Sequence, residues 1–142
     1  MKRRTPEELM QTYLVDVAQQ GRLELIDDIA QPDMVDKANQ FFGGPAGREG
    51  LRQHVVGFRR FIGDVEIDIE RIVAGENDVM AWWTFTGKHV GPWLGQTPTG
   101  GVISATVFSF FELTDARISR YRLWLYAGFE SPITFGSSKL SL

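Results

Sequence analysis

The chain has no cysteine among its 142 residues, which excludes disulfides, thiolate metal sites and a cysteine nucleophile. Redox compartment stays open on that count. Only two histidines are present, His54 and His89, and they fall on separate predicted elements, so a two-histidine helical zinc motif is excluded. Phosphate-binding P-loop, dinucleotide fingerprint and G-x-S-x-G nucleophile elbow are all missing. The net charge of −3 is spread over interspersed acids and bases, so there is no basic footprint for nucleic acid. No apolar run follows the basic MKRR start, which reads as a solvated terminus rather than a targeting signal, and a cytoplasmic location is expected. Between His89 and Phe111 there is no Asp, Glu, Lys or Arg. Four glycines and two prolines interrupt that stretch, making it loop plus strand rather than a membrane span.

What is present fits one domain over residues 1–142, with a core from about 5 to 127 and a tail from 128 to 142. Thr5-Pro6-Glu7-Glu8 is a capping box with proline at the first helical position. Leu9, Met10, Tyr13, Leu14 and Val17 then recur at helical spacing up to Gly21. A shorter helix is predicted across Leu23 to Ile29, and a short strand from Asp33 to Ala38. The glycine-rich Asn39 to Gly47 reads as a loop. Arg48 to Ile62 is a third helix, with Leu51, Val55, Phe58 and Ile62 on one face and His54 bordering it.

Strands follow without another helix: Val65 to Val73, Val79 to Gly87, Val102 to Leu113, and Arg117 to Tyr126. In the first, Val65, Ile67 and Ile69 alternate with Glu66, Asp68 and Glu70, giving one dry and one wet face. Segregated helices and strands make an α+β fold. The expected form is a cone: a strongly curved antiparallel sheet with three N-terminal helices on its concave side.

Chemistry must then come from acid–base groups or pocket shape. Asp36, near the expected pocket mouth, would be a general base if buried, or a plain strand-end carboxylate if exposed. His89 at a strand end is either an acid–base group or a loop anchor bonded to backbone. His54 is read as a core histidine bordering its helix face. Arg122, among Tyr121, Leu123 and Trp124, is either a buried cation orienting an enolate or carboxylate, or an outward-facing arginine. Trp82, Trp83, Trp93, Trp124 and Tyr126 lie on the sheet or its central loop, and Phe41 and Phe42 on the other loop. Trp82 and Trp83 must face opposite ways. An apolar pocket with few polar groups suits a flat hydrophobic ligand.

Three stretches carry a family resemblance: GGPAGREGLRQHVVGFRRF, DVEIDIERIVAGENDVMAWWTFTGKHVGPWLGQTPTGG and FSFFELTDARISRYRLW. The run GKHVGPWLGQTPTG, Gly87 to Gly100, is its most specific part. The chain resembles the SnoaL-like polyketide cyclases of the nuclear-transport-factor-2-like superfamily. That resemblance implies the cone fold, a homodimer through the exposed sheet face, and aldol closure of a poly-β-ketone-derived substrate without metal or cofactor. It also implies an aspartate base, and here the chain departs from the pattern. Ser109 stands where such cyclases carry a histidine on the long strand. Leu123 stands at the catalytic aspartate's position, Tyr126 at the other often acidic one, and Lys37 where a histidine often follows Asp36. Neither serine nor leucine titrates near neutrality.

The leading expectation is therefore a cofactor-independent cyclase acting chiefly by holding its substrate in a reactive shape. General-base chemistry by Asp36, on an aldol, isomerisation or epoxide substrate, is the alternative. A third reading is a non-catalytic binding or accessory protein. Asp36, His89 and Arg122 are the catalytic candidates. The expected lining is Tyr13, Phe42, His54, Phe58, Trp82, Trp93, Ser109, Leu123, Trp124 and Tyr126. The expected partner is a small hydrophobic polyketide-like molecule, with no metal, nucleic acid or membrane involved.

Overall fold

A computed structural model describes residues 3–93, 95–126, 133–135 and 138–140. The chain runs through α1 (Pro6–Gln11), a wider helical turn (Thr12–Gln19), a tight turn (Leu23–Leu25) and α2 (Ile26–Ile29). Then come β1 (Ala30–Asp36), α3 (Lys37–Phe41), α4 (Arg48–Phe61), β2 (Ile62–Ala74), β3 (Asp78–His89), β4 (Val102–Thr114), β5 (Arg117–Tyr126), β6 (Ile133–Phe135) and β7 (Ser138–Leu140). Thr5 caps α1 as a full capping box, its hydroxyl accepting from Glu8 N at 3.1 Å. Beyond Gln11 the helix widens to i→i+5 bonding, as in Gln20 N to Val15 O.

The main sheet has the order β1-β5-β4-β3-β2, open at both edges. Its β2-to-β5 meander is antiparallel, while β1 joins β5 in parallel. The antiparallel meander is the expected one, and β1 adds a parallel strand at its edge. A hairpin reverses the chain between consecutive strands, but β1 is separated from β5 by α3, α4 and three strands, so its direction is set by packing. Register shifts in β2, between Gly63 and Glu66 and between Ile69 and Arg71, add local twist and help curve the sheet.

Strict alternation sorts the side chains. Val79, Ala81, Trp83 and Phe85 of β3, and Ile103, Ala105, Val107, Ser109 and Phe111 of β4, are buried on the concave face. Leu9, Met10, Tyr13, Leu14 and Val17 of the first helix, with Leu51, Val55 and Phe61 of α4, close over them.

One expected loop contains a helix. Asp36 has extended backbone and its carboxylate accepts from Asn39 N at 3.0 Å, so the strand-end aspartate caps α3. Gly43 follows the helix at φ +76°, where glycine is favoured.

Candidate active site

A cavity of about 540 Å³ lies between α4 and the concave face of the sheet. Its aromatic end is built by Phe58, Phe61, Trp83, Phe85 and Trp93. Phe61 and Trp93 stack face to face at 4.3 Å, and Phe58 meets Phe85 edge-on at 5.2 Å. Trp93 reaches this place because the loop after β3 docks on the end of α4. There Val90 N and Gly91 N both donate to Phe61 O, at 2.9 and 3.1 Å. A side chain at Gly91 would collide with the Arg60 carbonyl, so the approach needs glycine.

The polar end is made by Asp36, His54, Tyr13 and Tyr121. Parallel pairing sets Asp36 beside Tyr121, at the point where β1 hands over to α3. His54 projects from α4 one turn before Phe58 and stacks on the Tyr121 ring at 5.6 Å. Its Nδ1 lies 2.6 Å from Asp36 Oδ2, with the Asp36 side chain 1% exposed and that of His54 23%. Asp36 Oδ1 is occupied by Asn39 N, so the carboxylate accepts on both oxygens. An ionised carboxylate only accepts, so Nδ1 carries the proton in this pair, and in the neutral ring Nε2 is left as a base. The arrangement is that of a base oriented by a buried carboxylate.

Below the histidine runs a buried hydroxyl chain. The Trp83 indole N–H donates to Ser109 Oγ at 2.9 Å, and Ser109 Oγ lies 2.8 Å from the Tyr121 hydroxyl. Tyr13 packs edge-on against Tyr121 at 5.4 Å. Burial pushes the Tyr13 phenol well above its usual range, with the Tyr121 and Asp36 charges adding to the rise. Burial also raises Tyr121, opposed by its hydrogen bonding with Ser109 and Tyr13. Both phenols are therefore protonated at neutral pH.

Asp36, His54, Tyr13, Phe42, Phe58, Trp93, Ser109 and Leu123 all gather at or directly behind this cavity wall. Phe42 does so at the mouth, beside the exposed Phe41. Three of the expected residues lie on the other side of the sheet. Trp82 and Trp124 are 40% and 50% exposed on the convex face, where Trp82 stacks on Phe108 at 5.9 Å and Trp124 pairs across from the same residue. Arg122 shares that face, opposite Phe110 on β4, in a surface groove with Lys37, Phe41 and Trp124. The period of two places all three there, because Trp83, Tyr121 and Leu123 point inward.

His89 is fully buried but outside the cavity lining. Its Nδ1 accepts from Thr99 N at 3.2 Å, while its backbone bonds Gly100 and Gly101, so it anchors the loop that carries Trp93. The side chain of Tyr126 lies outside the described residues. Among the described residues no three His, Asp or Glu side chains converge as a metal-binding group, and no helix is long and apolar enough to cross a membrane.

Trp83, Tyr121 and Asn39 are wall residues that the candidate set omitted. Parity gives the first two: Trp83 shares its side with Val79, Ala81 and Phe85, and Tyr121 with Leu123.

Comparisons with known proteins agree with this architecture. A family model described as SnoaL-like polyketide cyclase matches residues 8–125. Nogalonic acid methyl ester cyclase of Streptomyces nogalater is 26% identical over 113 residues, covering 78% of this chain and 84% of that protein. In fold the chain is similar to TsrD from Streptomyces laurentii, with a TM-score of 0.74 at 20% identity over 88% of this chain and 90% of that one. A SnoaL-like polyketide cyclase from Agrobacterium tumefaciens gives a TM-score of 0.74 at 18% identity, covering 87% and 92%. The family match spans every residue of the cavity wall. The chain belongs to the SnoaL-like polyketide cyclase family.

Proposed function

We propose that this protein closes a ring in a polyketide-type intermediate, without metal or cofactor, using His54 as general base and Asp36 to orient it. One observation carries the reading: buried Asp36 lies 2.6 Å from His54 Nδ1, and the His54 imidazole stands on the wall of a cavity lined mainly by aromatic and aliphatic side chains. Buried carboxylate–imidazole pairs fix the tautomer and favour the imidazolium that forms on proton uptake. The base thus lies on α4, and the chain carries Leu123 on the closing strand where the family resemblance expects an acid. Proton transfer by His54 thus joins substrate positioning as a main source of rate, where the sequence pointed chiefly to positioning with limited acid–base help.

The aromatic end suits a flat, partly aromatised body, and the polar end its enolisable carbonyl. The relative named above makes nogalonic acid methyl ester a suitable first substrate. Wild-type protein is expected to cyclise it or a close analogue, and His54→Ala to lower turnover by about 10²–10⁴-fold, the usual worth of a general base. Turnover within twofold of wild type in His54→Ala would sink this reading.

The working form is a cytoplasmic homodimer joined through the convex sheet face. Supporting this, Val73, Met80, Trp82 and Trp124 are all exposed there, and a contiguous apolar patch on one sheet face marks an interaction surface.

A further inference from the structure

We propose that Lys37 and Arg122 form a carboxylate-binding subsite beside the cavity mouth, so that the ligand of this site is a flat body carrying an acidic arm. The inference deepens the cyclase reading by naming a substrate class. It rests on that reading for the reaction, although its test does not.

The subsite is a groove of about 440 Å³ between α3 and β5, with Lys37, Phe41 and Phe42 on one side and Arg122, Leu123 and Trp124 on the other. It exists because β1 pairs with β5 only as far as Asp36 beside Tyr121. The chain then turns into α3, and the stretch of β5 beyond Tyr121 faces the groove. Ala38, Phe42 and Leu123 line groove and cavity alike, so the two meet at the mouth.

Charge gives the groove its chemistry. Arg122 is half-buried, and its Nε is fully buried with no hydrogen-bond partner. Lys37 Nζ is held by the neutral Gln40 side chain, at 3.1 Å. No acid lines the groove among the described residues, and neighbouring Asp36 turns its carboxylate to His54 and Asn39 instead. A buried guanidinium donor without a partner is rare, because its desolvation goes uncompensated, and it marks a place that an anion can complete. A carboxylate fits best, since the planar fork of arginine matches its two oxygens. The whole chain is acidic, at −3, so attraction for an anion has to be local. Inside the cavity no Lys or Arg lines the wall among the described residues. Burying an unpaired carboxylate there is costly. The flat body therefore enters the cavity, and the acid stays at Lys37 and Arg122.

The test compares 4-(2-naphthyl)butanoate with its amide, which keeps the flat body and removes the charge, by calorimetric titration of the full-length protein. Wild type is expected to bind the acid about tenfold or more tighter than the amide, the worth of hydrogen bonds to a charged group. Arg122→Gln should bring the two within about twofold. Lys37→Gln should cost the acid about threefold, as an exposed charge does. Neither should alter amide binding. Raising KCl from about 50 to about 500 mM should weaken binding of the acid alone. Phe58→Ala, at the aromatic end of the cavity, should weaken both probes alike. Trp124 also belongs to the convex row assigned to the dimer, so it is left unchanged. Lys37 is exposed, so its variant and the salt series decide the matter if Arg122→Gln does not fold. The inference is overturned if wild type binds the acid no better than the amide, as would follow if a second copy covered the groove. It is equally overturned by a preference that survives both charge substitutions, or by acid binding that ignores Phe58→Ala. In His54→Ala protein the preference for the acid should persist. Turnover that also persisted there would remove the base and leave the subsite standing.

Discussion

At Asp36 one carboxylate serves two structures: Oδ1 caps α3 and Oδ2 holds the His54 ring. Asp36→Asn tests both duties at once. Asparagine can present its carbonyl to only one donor, so the His54 tautomer is no longer fixed, and kcat is expected to fall about 10²–10⁴-fold. Combined with His54→Ala the loss should not multiply, because the two side chains act as a unit. A multiplicative double variant in steady-state kinetics would contradict the pairing.

The buried phenols make a separate prediction with a definite sign. Tyr13 and Tyr121 are both held above the ordinary phenol value of 10.0 by burial. In the unfolded chain they ionise near that value, while in the fold they stay protonated. Stability is thus undiminished by these groups below the unfolded value and falls as pH rises past it. The expected slope is about 1.4 kcal/mol per pH unit for each tyrosine. Urea melts from pH 9 to 11 should show the decline in wild type and a shallower one in Tyr121→Phe. Equal slopes in the two proteins would rule out the assignment for Tyr121.

At the scale of elements, the loop between β3 and β4 is held at both ends. His89 bonds its Thr99 side, and the Phe61 carbonyl takes Val90 and Gly91. A methyl at Gly91 strikes the Arg60 carbonyl, so Gly91→Ala should cost about 1–3 kcal/mol in a urea melt. It should also loosen the Trp93–Phe61 stack that closes the cavity, visible as red-shifted tryptophan emission. An unchanged melt and spectrum would show that the loop is not docked this way.

Elements also show what the sequence could and could not say. The Thr5 capping box, the α4 face and the β2 alternation were legible because each is a local pattern with a single period. The inward side of β3 was legible too, since Val79, Ala81, Trp83 and Phe85 form the more apolar parity. Choosing Trp82 for the cavity weighed side-chain type above parity. By contrast, α3 was hidden because it is five residues long, runs straight into the glycine-rich stretch from Gly43 to Gly47, and takes its cap from the end of a strand. The Asp36–His54 bond joins residues 18 apart, and a parallel pairing between β1 and β5 sets its geometry. No local period encodes such a contact, so His54 read as core.

For the whole molecule, the curved sheet divides two kinds of aromatic surface. The concave side holds the cavity, and the convex side presents Trp82, Phe108 and Trp124 in one row across β3, β4 and β5. If two copies join through that row, Trp82→Lys with Trp124→Glu should convert a dimer to a monomer in sedimentation velocity. The Asp36–His54 pair sits on the opposite face and should survive. A wild-type monomer at tens of micromolar would contradict the dimer while leaving the site intact.

Proton abstraction by His54 is the claim on which the functional account turns, and it can be measured without the natural substrate. The α-protons of 2-tetralone, a flat aromatic ketone sized for the cavity, exchange slowly with D₂O at neutral pH. Wild-type protein is expected to catalyse that exchange, followed by proton NMR, and His54→Ala to lose about 10²-fold or more of the catalysed rate. Catalysed exchange that persists at the wild-type rate in His54→Ala would contradict the account.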